Sequence, residues 1–204
     1  MNSGLKPAEV IKDAIRALQV GDTGRVIVVA LDGHSGAGKT TLATTIAETL
    51  DAAVLHGDDF YRDMPDDDRA QLSPAQGVDQ YFDWQRLGTE ALTKLVRRER
   101  AQFRPFNWTV GSGLTDAAVN VVPSDIVVVE GVYCARPEFD DLIDLKVLVE
   151  VAQGERETRR ALRPRTVSRD EPQAWDTRWD AAERLYFKSI RPRDAFDIIV
   201  SGIG

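Results

Sequence analysis

"GHSGAGKT", residues Gly33–Thr40, stands between the apolar run "RVIVVAL" (25–31) and the stretch "TLATTIAETL" (41–50). Gly33, Gly38, Lys39 and Thr40 fall in register with the phosphate-binding template G-x-x-x-x-G-K-[ST]. Gly33, Gly36 and Gly38 allow backbone conformations that side chains would block, so successive N–H groups can converge on an anion. The helix that follows turns its positive end to the same anion. Lys39 can then reach the β- and γ-phosphates, and the Thr40 hydroxyl can ligate Mg²⁺. Both flanks agree: Val26, Ile27, Val28 and Val29 read as a buried strand, and Leu42, Ile46 and Leu50 recur at helical spacing. An ordinary glycine-rich turn would not require strand, loop and helix in this order. Gly33, His34, Ser35, Gly36, Ala37, Gly38, Lys39, Thr40 and Thr41 are therefore read as the phosphate site of a nucleotide-binding chain.

Working outward, 204 residues suit one domain with a sizeable core and a small lid or insertion. A net charge of −7 argues against nucleic-acid or anionic-membrane partners, which call for a basic surface. No apolar stretch approaches the about 20 residues of a membrane span, and the N-terminus has no signal-peptide core. The single cysteine, Cys134, cannot form an internal disulfide and fits a reducing cytoplasm.

"PAEVIKDAIRAL" (7–18) predicts a helix with Val10, Ile11, Ala14, Ile15 and Leu18 on one face. "AAVLHG", "DIVVVEG", "DLKVLVEV" and "FDIIV" predict further strands. Leu87, Ala91, Leu92, Leu95 and Val96 mark a helix, and "FRPFNWTVGSGL" a loop or short hairpin. An arginine-rich helix is expected from about Glu155 to Arg163, ending at Pro164. A late helix has Trp175, Trp179, Ala182 and Tyr186 as its inner stripe, with the tryptophans read as core packing. The polar stretch Asp63–Gly77 reads as a surface excursion. Strands alternating with helices, each strand a continuous β-branched run, imply an α/β fold: a parallel sheet of phosphate-loop NTPase type, covered by helices on both faces. No linker divides the chain.

In such sheets ligands gather at the carboxyl ends of the strands. Asp58 and Asp59, in "HGDDFYR", emerge there after the second strand. A carboxylate at that edge can accept a hydroxyl proton or help hold Mg²⁺. Glu130 ends "IVVVE" at the same edge, suited to Mg²⁺ directly or through its water shell. Arg156, Arg159, Arg160 and Arg163 recur at spacings of three and four; forks of this kind suit phosphate oxygens, and one or two of them are expected to touch phosphate. His34 is expected to matter through its backbone N–H, and His56 as a structural residue beneath the active edge. Phe106 and Trp108 lie among glycines, where a flat ring can stack on them.

Taken together, "GHSGAGKT", "DDFYR", "YFDWQRL", "IVVVEGVY", "DLKVLVEV", "RETRRALRPR" and "FDIIV" resemble the uridine kinase and phosphoribulokinase-like branch of P-loop kinases. They occur in that family's order and cover most of the chain after Arg25. The resemblance implies a single kinase domain over 1–204 with an arginine-rich lid at roughly 154–171. It implies transfer of phosphate from ATP, with Mg²⁺, to the 5′-hydroxyl of a nucleoside, most simply uridine or cytidine. It also implies roles for particular residues. Asp58 would be the base toward the acceptor hydroxyl and help with the metal, beside Thr40 and Glu130. Tyr61 would flank the acceptor and Asp79 its ribose, with the base near Phe106 or Trp108. Arg156 would serve the acceptor, Arg159 the transferring phosphate and Arg163 the nucleotide. The acceptor region departs from the family: "RPFNWTVGSGL" has Asn107 where an aspartate is usual, and no His or Arg follows. Pro164 also stands where the lid commonly has an aspartate. Alternatives stay open at this level: a kinase of pantothenate or a sugar phosphate, or a nucleotide-dependent ATPase that is not a kinase. The guanine-reading Asn-Lys-x-Asp motif of GTPases is absent, as is the paired Asp-Glu of motor ATPases. A homo-oligomer is compatible with everything read so far.

Overall fold

The computed structural model describes residues 6–21, 24–162 and 172–202. Helix α1 (Pro7–Gly21) leads to β1 (Ile27–Asp32), and the phosphate loop connects β1 to α2 (Lys39–Leu50). Strand β2 (Ala53–His56) is followed by two short helices, α3 (Asp66–Ala70) and α4 (Pro74–Gln80). A helical run then passes from α5 (Trp84–Arg86) through a wider π-helical stretch, Leu87–Leu92, into α6 (Thr93–Val96). Strands β3 (Ala101–Phe103) and β4 (Val119–Val121) form an antiparallel hairpin set apart from the main sheet. Strands β5 (Ile126–Glu130) and β6 (Leu145–Glu150) precede α7 (Gln153–Leu162). The described chain closes with α8 (Pro172–Leu185), a π-helical turn Tyr186–Ile190, and β7 (Ile198–Ser201).

The main sheet runs β2-β5-β1-β6-β7, and every pairing in it is parallel. Strands β1 and β5 are buried from end to end, as their unbroken apolar runs require when both faces are covered. Alternation along β1 divides the core in two. Ile27, Val29 and Leu31 pack with Ile11 and Ile15 of α1 and Leu42 and Ile46 of α2. Val28 and Ala30 face a second core, rich in aromatic rings, that contains Phe60, Tyr61, Phe82, Tyr133 and Tyr186. The topology places the ends of β1, β2 and β5 side by side, where the loop, the Asp58–Asp59 turn and Glu130 emerge.

The stretch Asp63–Gly77 is more structured than its polarity implies. Ser73 and Gln76 form a reciprocal cap at the start of α4, with Pro74 in its first turn. Arg69 is buried, donates to the carbonyls of Arg62 (3.0 Å) and Met64 (2.9 Å), and lies 4.3 Å over the Tyr61 ring. The aspartates stay on the surface while the one arginine among them turns inward and anchors the segment.

Candidate active site

The phosphate loop is built from left-handed backbone at Gly36 (φ 83°) and Gly38 (φ 91°). Asp32, fully buried at the end of β1, holds the loop's entry. It accepts from the amides of Gly33 (2.7 Å), Tyr133 (2.9 Å) and Ala135 (2.9 Å) and from the Tyr186 hydroxyl (2.9 Å). Burial pushes its carboxyl upward, against the pull of the Ala135 and Gly33 amides, the Lys39 charge and the Tyr186 hydroxyl. From the far side, the end of β7 presses on the loop: a Cβ added at Gly202 would collide with the Ala37 carbonyl.

Lys39 is buried and donates to the carbonyls of Gly33 (2.8 Å) and His34 (3.1 Å), so its ammonium already sits over the loop. The Thr40 hydroxyl donates to Glu130 Oε1 at 3.2 Å. The same carboxylate oxygen lies 2.7 Å from His56 Nδ1, and this hydrogen bond raises the His56 pKa. A hydroxyl and a carboxylate this close form the hard oxygen donor set that suits Mg²⁺. The loop's convergent amides and the Lys39 ammonium likewise suit a nucleotide phosphate.

A cavity of about 180 Å³ joins these groups to the aromatic core. Its polar rim includes Lys39, Thr40, Asp58, Glu130 and Arg160, and its apolar wall Tyr61, Phe82, Trp108 and Trp179. Asp58 is exposed to the cavity, and Trp108 Nε1 donates to its backbone carbonyl at 3.1 Å. Asp59 is half-buried and lies outside the lining; burial pushes its carboxyl up. A second groove runs along the carboxyl ends of β6 and β7, bordered by His34, Val151, Arg156 and Ser201.

The sequence-predicted residues divide accordingly. Ser35, Gly36, Gly38, Lys39, Thr40, Asp58, Tyr61, Trp108 and Glu130 come together at the cavity. Gly33 and Ala37 are buried in the body of the loop, and Thr41 is exposed on α2. Asp79 is not at the cavity: its carboxylate is 70% exposed and lies 3.7 Å from the buried Arg136. Phe106 is also turned away, because its amide donates to the Asp59 carbonyl (2.8 Å) and its ring packs beneath Tyr61 and Trp108. Only Trp108 of that pair faces the space. Arg159 reaches the Gly36 carbonyl at 3.4 Å and pairs with Glu155. Arg156, expected to serve the acceptor, is not at the cavity: it points to Glu183 of α8 and borders the second groove. Arg163, Pro164 and the rest of the expected lid to residue 171 lie outside the described residues.

Two side chains do more than the sequence reading gave them. The His34 ring is not idle: Nδ1 lies 2.7 Å from Glu183 Oε2, and the ring centroid is 4.5 Å from that of Phe187. Trp179 is more than core packing, since it stacks on Tyr81 at 4.5 Å and borders the cavity. Phe82, Arg160, Asp32 and Glu183 are the site residues that sequence reasoning passed over or left without a role. Glu183 had no signal beyond being an acid on the inner stripe of an otherwise apolar helix face.

Among known families, the one described as an AAA domain matches residues 28–125. The uridine kinase of Chlamydia pneumoniae is 27% identical over 187 residues, covering 87% of this chain and 82% of that protein. The uridine kinase of Deinococcus deserti is 31% identical over 144 residues, covering 68% of this chain and 69% of that protein. A solved structure, a putative fructose transport system kinase from a Silicibacter strain, is 25% identical, with a TM-score of 0.71. It covers 97% of this chain and 100% of that one.

Proposed function

The chain belongs to the uridine kinase family of P-loop kinases, and from that premise we propose that it phosphorylates the 5′-hydroxyl of a pyrimidine nucleoside with ATP and Mg²⁺. One observation carries the reading: Asp58 shares a single cavity with the loop residues Lys39 and Thr40, with Glu130, and with four aromatic rings. Donor, base and acceptor platform therefore meet in one space.

In this reading the loop amides and Lys39 hold the nucleotide's phosphates, and Lys39 exchanges its two carbonyl partners for phosphate oxygens. Thr40 and Glu130, with Asp58 nearby, would hold Mg²⁺, which supplies positive charge to the phosphate oxygens. The nucleotide's base lies in the second groove, beside Arg156. The acceptor lies against Tyr61, Phe82, Trp108 and Trp179, which exclude water from the reacting atoms. Asp58 orients the acceptor hydroxyl toward the γ-phosphorus and takes its proton as the new O–P bond forms. The bond to the bridging oxygen breaks, and ADP leaves. Arg159 and Arg160 face the charge that spreads over the transferring group.

A specific observation favours a second reading, a sugar-type polyhydroxy acceptor. Beyond Phe106, the hairpin segment that borders the cavity offers an indole but no His or Arg to read the polar edge of a base. Ring faces also bind the C–H faces of sugars, and the Silicibacter relative is titled a fructose transport system kinase. The test measures ADP release with ATP, Mg²⁺ and a panel of uridine, cytidine, ketohexoses, sugar phosphates and pantothenate. Uridine and cytidine are expected to give the highest kcat/KM. Turnover with a ketohexose and none with any nucleoside would replace the first reading by the second.

A further inference from the structure

Glu183 is fully buried, yet it is a carboxylate on α8, far in sequence from the loop it touches. Its Oε1 accepts the Ser35 amide at 3.1 Å; its Oε2 lies 2.7 Å from His34 Nδ1 and 3.7 Å from Arg156 Nη1. Burying an anion is costly unless it is hydrogen-bonded and paired, and here the partners come from two different elements, the phosphate loop and α7. One turn further along, where the π-helical turn continues α8, Tyr186 donates to Asp32, whose other oxygen holds the Gly33 amide. Positions 183 and 186 lie on one helix face, so α8 and its π-helical continuation grip the loop at two points. Arg160 of α7 pairs with Asp180 of α8 at 2.8 Å, so α7 is held to α8 beside the Glu183 contact.

We propose that Glu183 is a positioning residue for the nucleotide: it sets the Ser35 amide and the His34 ring, and holds Arg156 at the edge of the second groove. Nucleotide binding is thereby coupled to the placement of α7 through one carboxylate. The proposal rests on the kinase reading, because it assigns the loop and groove to one nucleotide. A role confined to packing α8 would leave nucleotide affinity unchanged in every molecule that folds. Positioning changes that affinity and leaves the acceptor alone.

The test uses the whole chain, with ADP and ATP binding measured by calorimetry in the absence of acceptor, and KM for both substrates alongside thermal melting. Glu183→Ala is expected to weaken nucleotide binding about tenfold or more, the scale of a lost charge-assisted hydrogen bond, with acceptor KM within about twofold. Glu183→Gln keeps the shape and an oxygen for the Ser35 amide, so it should recover part of that loss. It should also blunt the effect of Arg156→Gln, giving a non-additive cycle in nucleotide affinity. Unchanged affinity in the folded Gln variant, or additive effects in the cycle, would overturn the proposal while leaving the kinase reading standing. Absence of nucleotide binding by the unaltered protein would bring down both.

Discussion

At Asp58 the carboxylate is exposed and borders the cavity, whereas that of Asp59 is half-buried and its backbone carbonyl accepts from Arg86 (3.0 Å) and the Phe106 amide. Two adjacent acids thus have separate work, one facing the acceptor and one bracing the turn. Asp58→Asn should lower kcat by about 10²–10⁴, the usual contribution of a general base, with little change in ATP binding. Asp59→Asn should do far less, and steady-state kinetics of both variants would undo the assignment if the damage were equal. Glu130→Gln keeps the shape but removes the charge beside Thr40, so it should raise the Mg²⁺ concentration needed for half-maximal rate. An unchanged Mg²⁺ titration would return Glu130 to a structural partner of His56. Away from the site, Arg136 hydrogen-bonds Glu138 and holds its carboxyl below the ordinary value of 4.5. A depressed carboxyl pKa adds stability that is fully present above the unfolded value and is lost as pH falls through the folded one. The melting temperature of Glu138→Gln should therefore lie below that of the parent at neutral pH, and the gap should close as pH falls from 4.5 through the lowered folded-state value. The gap will be small, because Glu138 is mostly exposed.

At the scale of elements, the phosphate loop is clamped between the end of β7 and the inner face of α8. Gly202 approaches the loop so closely that any side chain would strike the Ala37 carbonyl or the Val151 side chain. Gly202→Ala should push β7 away from the loop, lowering the melting temperature and raising KM for ATP together. A variant that melts and binds like the parent would show that the contact is slack. The short helices after β2 have a comparable task on the acceptor side. Arg69 tucks beneath the segment and covers Tyr61, and α4 carries the chain to Tyr81 and Phe82, whose neighbour Trp179 comes from α8. The acceptor wall is thus assembled from four separate stretches of chain.

For the whole molecule, the parallel sheet separates an aliphatic core under α1 and α2 from an aromatic core that reaches the cavity. The first supports the loop from behind, and the second forms the acceptor wall itself. Leu31, fully buried in the aliphatic core, should cost about 2–5 kcal/mol on truncation to Ala. Val110, 67% exposed on the hairpin, should cost within about 0.5 kcal/mol when shortened in the same way. Denaturant midpoints for the two variants check the contrast.

The sequence by itself determined the parts that local rules govern. Amides can converge on a phosphate because Gly33, Gly36 and Gly38 are close in the chain, and the unbroken apolar runs of β1 and β5, each ending at a glycine, read as strands covered on both faces. Asp58 and Glu130 were legible because each ends such a run, and a parallel sheet gathers those ends on one edge. The tertiary structure alone decided which side chains close the space. Glu183 meets His34 across 149 positions and Tyr186 meets Asp32 across 154, separations over which no spacing pattern survives. Asp79 and Phe106 were misplaced for the same reason: each lies in a segment that reads as near the acceptor, and its partner lies elsewhere in the chain. Asp79 meets the buried Arg136, and the Phe106 amide is held by the Asp59 carbonyl, partners that lie in other segments of the chain.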